Sequence, residues 1–191
     1  MSFSTLFSDK LIPYTGKELR PHFALSQLGL RGSGIAAFLG PCRVETAELV
    51  DWEDRLENER IEARLMVHFI GEFFGVSLRE AVLAQRLLVA TVAESLNEKL
   101  SPGKPILRTG NDLHLGDRKL SVSIVTSSPV SQLLHLGINI DPTGAPVSAV
   151  GLQEFFPDQA HITEWVRQIL QAFSKEMEGV EWACTKVRPV V

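Results

Sequence analysis

The chain has 191 residues, 45% of them hydrophobic and 22% charged, with a formal net charge of −4. That length supports one sizeable core and is short for two, so a single domain over residues 1–191 is expected. The negative balance gives no electrostatic reason to expect nucleic acid or an anionic membrane as the main partner, and no window approaches the roughly 18 apolar residues of a membrane span. The opening MSFSTLFSDK lacks a basic region followed by a long apolar run, so no signal peptide is expected and a cytoplasmic location is. Cys42 and Cys184 are too few for a disulfide framework, and no CxxC or Cys/His spacing marks a zinc site.

Taken in chain order, Thr15 with Glu18 has the spacing of a capping box, and Tyr14 with Leu19 that of a hydrophobic staple. A first helix is therefore predicted over residues 16–28. Strands are predicted over 34–39 and 63–70. Ser77 with Glu80 repeats the capping device ahead of Leu78, Ala81, Val82, Leu88, Val92 and Leu96, which predicts a long helix to residue 98. Short alternating runs at 113–115 and 119–126 flank Gly116-Asp117 and predict a hairpin, followed by a strand over 133–140. Ile162, Trp165, Val166, Ile169, Leu170, Phe173 and Met177 form the stripe of an amphipathic helix, and a last strand is predicted over 183–187. The class is α+β, a mixed and mostly antiparallel sheet with flanking helices.

Lys119 is unexpected in such a strand. Side-chain alternation groups it with Ser121, Ser123 and Val125 on one face, and Leu120, Val122 and Ile124 on the other, which predicts a small polar groove headed by an ammonium group. Lys119 either faces a ligand there or pairs with a nearby acid such as Asp117 and only caps the hairpin.

The stretch NDLHLGDRKLSVSI resembles the Asn-Asp segment, tight turn and Arg-Lys strand of the catalytic core of biotin protein ligases and, more loosely, lipoate ligases. Before it, AAFLGPCRV is similar to the ligase strand that ends in an Ala-Gly-Arg turn, with Arg43 at the arginine. LMVHFIGEFF is similar to the next strand, and LLHLGINID to the strand that closes the site, with Gly137 and Asn139 matching. The resemblance implies a biotin/lipoate ligase-like, class II synthetase-like fold. It also implies that Lys119 neutralises a ligand carboxylate or its activating phosphoryl group, with Arg43, Asn111, Asp112 and Asn139 around the ligand. An ammonium beside developing negative charge in a dry site is a strong electrostatic catalyst. ATP and magnesium are the cofactors the resemblance implies, and a small carboxylate or nucleotide-like metabolite the ligand. Over its whole length the chain further resembles an uncharacterised prokaryotic family known as domain of unknown function 366, through YTGKEL, HFIGEFFG and LLHLGINI.

The departures are chemical. Ligases follow the first arginine with a Gly-Arg-rich loop that embraces phosphates; here VETAELVDWEDRLENER carries seven acids and two bases. Such a loop repels a triphosphate unless metal ions intervene, and Asp51, Asp54 and Asp112 are the candidate metal ligands, with Trp52 as an apolar anchor for the segment. Val122 stands where ligases have a glycine, so the acyl groove is filled or reshaped. Gln153 stands where lipoyl-octanoyl transferases carry a cysteine. Biotinylation and lipoylation proper are disfavoured.

Three further polar residues lie in apolar runs. A strand or a helix would each bring His68 and Glu72 to one face, as an acid/base pair at the ligand or as a hydrogen-bonded pair at a sheet edge. His135 is a core histidine or a second such group. Cys42 beside Arg43 is a nucleophile only if a base adjoins it, and Cys184 is expected in the core. Two functions remain: a ligase or acyltransferase-like enzyme with Lys119 stabilising an anion, or a binding module that has lost adenylate chemistry. An unpaired hairpin edge would be covered by a homodimer.

Overall fold

The structure, a computed structural model, describes residues 3–100 and 103–190. Its elements in order are β1 (Ser4–Leu11), α1 (Phe23–Leu28), β2 (Gly34–Val44), α2 (Trp52–Leu56), β3 (Ile61–Phe73), α3 (Leu78–Asn97), β4 (Ile106–Thr109), β5 (Asp112–Leu115), β6 (Arg118–Lys119), β7 (Ser121–Ser127), β8 (Gln132–Asp141) and α4 (Gln159–Thr185). Five strands form one sheet in the order β1-β2-β3-β8-β7, parallel between β1 and β2 and antiparallel elsewhere; β4, β5 and β6 form a small second sheet.

Strand alternation divides the large sheet into two chemically different faces. Ile35, Ala37, Leu39, Val67, Phe69, Leu134, Leu136 and Ile138 point to one side and pack against α3 and α4, where Leu88, Val92, Trp165, Ile169 and Phe173 complete the main core. The opposite face carries Phe38, Cys42, Met66 and Ile70 under α1 and the chain around Tyr14. His68, His135, Gly137 and Asn139 fall on this second face, away from the two long helices of the main core.

The full capping box at Ser77 and Glu80 is present, and α3 begins where it predicts. Five elements differ from the sequence-based expectation. Glu18 does accept from Thr15 N at 2.6 Å, but no helix follows until Phe23. Gly16 takes φ +91 and Pro21 keeps its predecessor out of helical geometry, so the turn cannot propagate. Tyr14 leaves Leu19 and stacks on His135 instead. The predicted strand over 183–187 is mostly helix: α4 simply continues to Thr185, each residue adding a backbone hydrogen bond, whereas a strand there would need a sheet edge. Cys184 is accordingly exposed, not in the core. β1 and β4 had no sequence signal, and the run 119–126 is broken at Leu120 between the two sheets.

Candidate functional site

The hairpin of β5 and β6 turns through Gly116-Asp117, pairing Leu115 with Arg118 and His114 with Lys119. Gly116 supplies φ +62 for the turn. Asp117 lies in the turn itself, while Asp112 sits diagonally across from Lys119 on the same face. Lys119 Nζ therefore meets Asp112 Oδ2 at 2.8 Å, and Asp117 is not its partner. The neighbouring backbone is fixed by amides: Asn139 Nδ2 donates to Lys119 O and Val150 O, both at 3.3 Å, and Asn111 Nδ2 donates to Ser123 O.

Lys119, Asp112, Asn111 and Asn139 border a cleft of about 340 Å³ on the second face of the sheet. Val122 and Ile124 give it an apolar wall, and the acid-rich segment before β3 forms its rim. The expected grouping of Lys119 with Ser121 and Ser123 is corrected by the break at Leu120. Both serines border the cleft, but their hydroxyls are spent inward: Ser121 Oγ accepts from Leu113 N at 3.0 Å, and Ser123 Oγ accepts from Gln85 Nε2 at 2.9 Å and donates to His135 O at 2.7 Å. Ser123 thus has its proton committed to His135 O, and Ser121 is buried with its oxygen engaged by Leu113 N.

Arg43 does not reach the cleft. Its guanidinium is mostly exposed and held by Glu45 at 2.8 Å, the contact that also raises its already high pKa. His68 and Glu72 do not pair either. Both lie on β3, four residues apart, which in extended chain is about 13 Å. Glu72 accepts from His22 N at 3.0 Å and from Ser131 Oγ at 2.7 Å, so it pins two loops. His68 bonds to His135, 3.1 Å from Nδ1 to Nε2, and to Gly40 O, 3.2 Å from Nε2. A carbonyl only accepts, so His68 carries its proton on Nε2, its Nδ1 accepts from His135 Nε2–H, and the Nδ1 lone pair of His135 is left over. Burial keeps both rings neutral: it lowers the pKa of His68 to about 3 and that of His135 well below its ordinary value, to which His68 contributes. This histidine couple, with Tyr14 stacked on His135 at 3.9 Å, is not evident from the sequence. The only hint is that each histidine interrupts an apolar strand.

Of the acid segment, Asp51, Glu53, Asp54 and Glu59 border the cleft. Asp51 caps α2 by accepting from Glu53 N at 2.8 Å. Asp54 is half-buried, and its pKa is raised first by burial and then by Asp51 and Glu59, with Lys119 opposing. Trp52 is not the expected apolar anchor; it is exposed and stacks under Arg55 at 5.3 Å. Among the described residues no three His, Cys, Asp or Glu side chains converge as a metal site, so Asp51, Asp54 and Asp112 do not form the expected one. ATP with magnesium does not fit: the cleft offers a triphosphate no unpaired cation and surrounds it with carboxylates. Cys42 is buried, and burial, then Glu18 and Glu62, push its thiol up to about 12, which removes it as a nucleophile. No helix of the described residues is long and apolar enough to cross a membrane.

Comparison with known proteins agrees with this architecture. A family model described as a domain of unknown function (DUF366) matches residues 3–188. An uncharacterized protein of Methanocaldococcus jannaschii is 32% identical, covering 98% of this chain and 86% of that protein. A solved protein of unknown function from Pyrococcus horikoshi superposes with a TM-score of 0.88 at 35% identity, covering all of both chains. A biotin protein ligase variant from Aquifex aeolicus in complex with biotin gives a TM-score of 0.56 at 16% identity, over 93% of this chain and 71% of that one. A lipoate-protein ligase A bound with ATP gives 0.51 at 12%, over 93% and 86%. These two likenesses concern the fold alone.

Proposed function

Because the chain belongs to the DUF366 family, whose description names no activity, we propose from the cleft itself that it is a small-metabolite-binding protein on a biotin/lipoate ligase-like fold, without adenylate chemistry. The observation that carries this reading is the Lys119–Asp112 ion pair, 2.8 Å long, on the wall of a 340 Å³ cleft. A lysine that neutralises an activated carboxylate must be free to follow the developing charge; here a carboxylate already holds it. Arg43, the second cation that the ligase resemblance implies, is turned outward to Glu45. What remains is a shaped, partly apolar recess with fixed amides, the composition of a site that selects a compact polar ligand.

The test is a protein-observed NMR screen of small charged metabolites that includes biotin, lipoate, octanoate and ATP with magnesium, following Asn111, Lys119 and His135. The expected result is that at least one metabolite shifts these resonances in the wild type and much less in Asn111→Ala or Lys119→Ala, while ATP with magnesium shifts none. An ATP response abolished by Lys119→Ala would replace the binding reading with ligase chemistry.

A further inference from the structure

α4 outruns the core it packs on. It has 27 residues, about 40 Å of helix, yet its buried side chains end at Phe173, and from Glu178 to Val190 every residue is exposed. The stripe that buries the first half of the helix does not stop there. Met177, Val180 and Cys184 fall at i, i+3 and i+7 and carry it past the core, and Val187 continues it just beyond the last turn. The family match reaches residue 188, so this extension belongs to the family's chain and is not an addition to one member.

Helical turns without tertiary contacts are marginal in water, and Gly179 weakens these further. Their charge acts in the same direction: α4 has no basic residue in its last turn, while Glu178 and Glu181 stand near the negative end of its dipole. None of Glu176, Glu178, Glu181, Lys186 and Arg188 has an ionic partner among the described residues.

The order of these groups selects the occupant. The acids Glu176, Glu178 and Glu181 come first, and the bases Lys186 and Arg188 follow at the tip. A second copy laid antiparallel brings its basic tip to the acidic turns of the first, and the two dipoles oppose; a parallel copy sets acid against acid. The apolar positions obey the same symmetry, since Met177 and Val187, and likewise Val180 and Cys184, are equidistant in sequence from Trp182. A two-fold interface requires such self-complementarity, and an unrelated partner does not.

We propose that the α4 extensions of two copies pair antiparallel, centred at the level of Trp182, with Val180 of one against Cys184 of the other and Met177 against Val187. Trp182 itself, two residues from both Val180 and Cys184, lies on the opposite face of the helix and outside the pairing.

Sedimentation at rising protein concentration should give a species of twice the chain mass that weakens with salt. Val180→Glu should reduce it to monomer, whereas Trp182→Glu should leave the dissociation constant within about twofold of the wild type. Glu181→Lys and Arg188→Glu should each raise that constant about tenfold, and the two together should restore it. All four positions are exposed, so an unchanged thermal transition checks that the domain is intact. Under copper-catalysed air oxidation, wild type mixed with the Val180→Cys, Cys184→Ser variant should form covalent dimer far faster than either protein alone; Cys42 is buried and does not compete. A monomer at every concentration, or a dimer that survives Val180→Glu, overturns the proposal. A dimer lost with Trp182→Glu puts the contact on the other face and does the same. Cross-linking of wild type alone that outpaces the mixture means parallel pairing and overturns the antiparallel arrangement.

Discussion

His68 and His135, on neighbouring strands and 67 positions apart, share one hydrogen bond of 3.1 Å, and Gly40 O fixes its direction by accepting from the outer nitrogen of His68. The bond places two neutral imidazoles inside the fold. Their protonation in the unfolded chain has no counterpart in the folded one at mildly acidic pH.

The consequence is an acid-side loss of stability. The folded pKa of His68 is depressed to about 3 and that of His135 lies well below 6.5, so the unfolded state binds more protons between those values. Stability contributed by the neutral rings is fully present above about pH 6.5 and declines as pH falls below it, at up to about 1.4 kcal/mol per pH unit for each ring. Urea unfolding at pH 7.5, 6.0 and 5.0 should show this slope, and His68→Phe with His135→Phe should flatten it. A midpoint that does not move between pH 7.5 and 5.0 in the wild type would contradict the assignment.

Lys119 and Asp112 form a pair that is about one-third and one-quarter exposed, so its worth to folding is small. A double-mutant cycle with Lys119→Met and Asp112→Asn should give a coupling of at most about 1 kcal/mol, weakened by salt. A coupling of several kcal/mol would mean that the pair is a structural clamp and not a site group.

Two glycines beside the histidine couple separate backbone from side-chain crowding. A Cβ on Gly40 would lie 1.8 Å from Ile12 O, a backbone atom that cannot move without dismantling the approach of residues 12–14 to β2. Gly40→Ala should therefore cost about 3 kcal/mol or more. A Cβ on Gly137 would meet Met66 Cε at 2.9 Å and His135 Cε1 at 3.2 Å, the first a flexible end that can swing away, so Gly137→Ala should cost about 1 kcal/mol and disturb the His135 resonances. Equal costs measured by denaturant unfolding would refute this distinction.

Glu72 ties the chain at His22 to the turn at Ser131 through three acceptor contacts of 3.0, 3.0 and 2.7 Å. Glu72→Gln keeps the size but replaces an acceptor-only group with one that presents a donor to His22 N or Ser131. We expect a loss of about 2 kcal/mol and faster amide exchange at residues 19–24 and 128–131. Exchange unchanged at both segments would show that they are held by something else.

Much of the architecture is legible in the chain. The capping box at Ser77, the stripe from Ile162 to Met177 and the Gly116-Asp117 turn are local signals, and each produced its element. β1 was not legible, because its side chains alternate weakly and it is a strand only by lying parallel to β2. The site was legible in membership more than in pairing: Lys119, Asn111, Asp112 and Asn139 do border one cleft, whereas Arg43 does not.

Sequence by itself determined the periodicities, the hairpin and the presence of a lysine, two histidines and an acid run at fixed places along the chain. Tertiary structure alone decided that Lys119 meets Asp112 instead of Asp117, that His68 turns to His135 instead of Glu72, and that the acid run lies across the same cleft as the lysine. The reason is register. Local rules fix which face of a strand a side chain takes, but which residues then become neighbours depends on pairing between strands tens of residues apart, and on a break at Leu120 that no local rule announces.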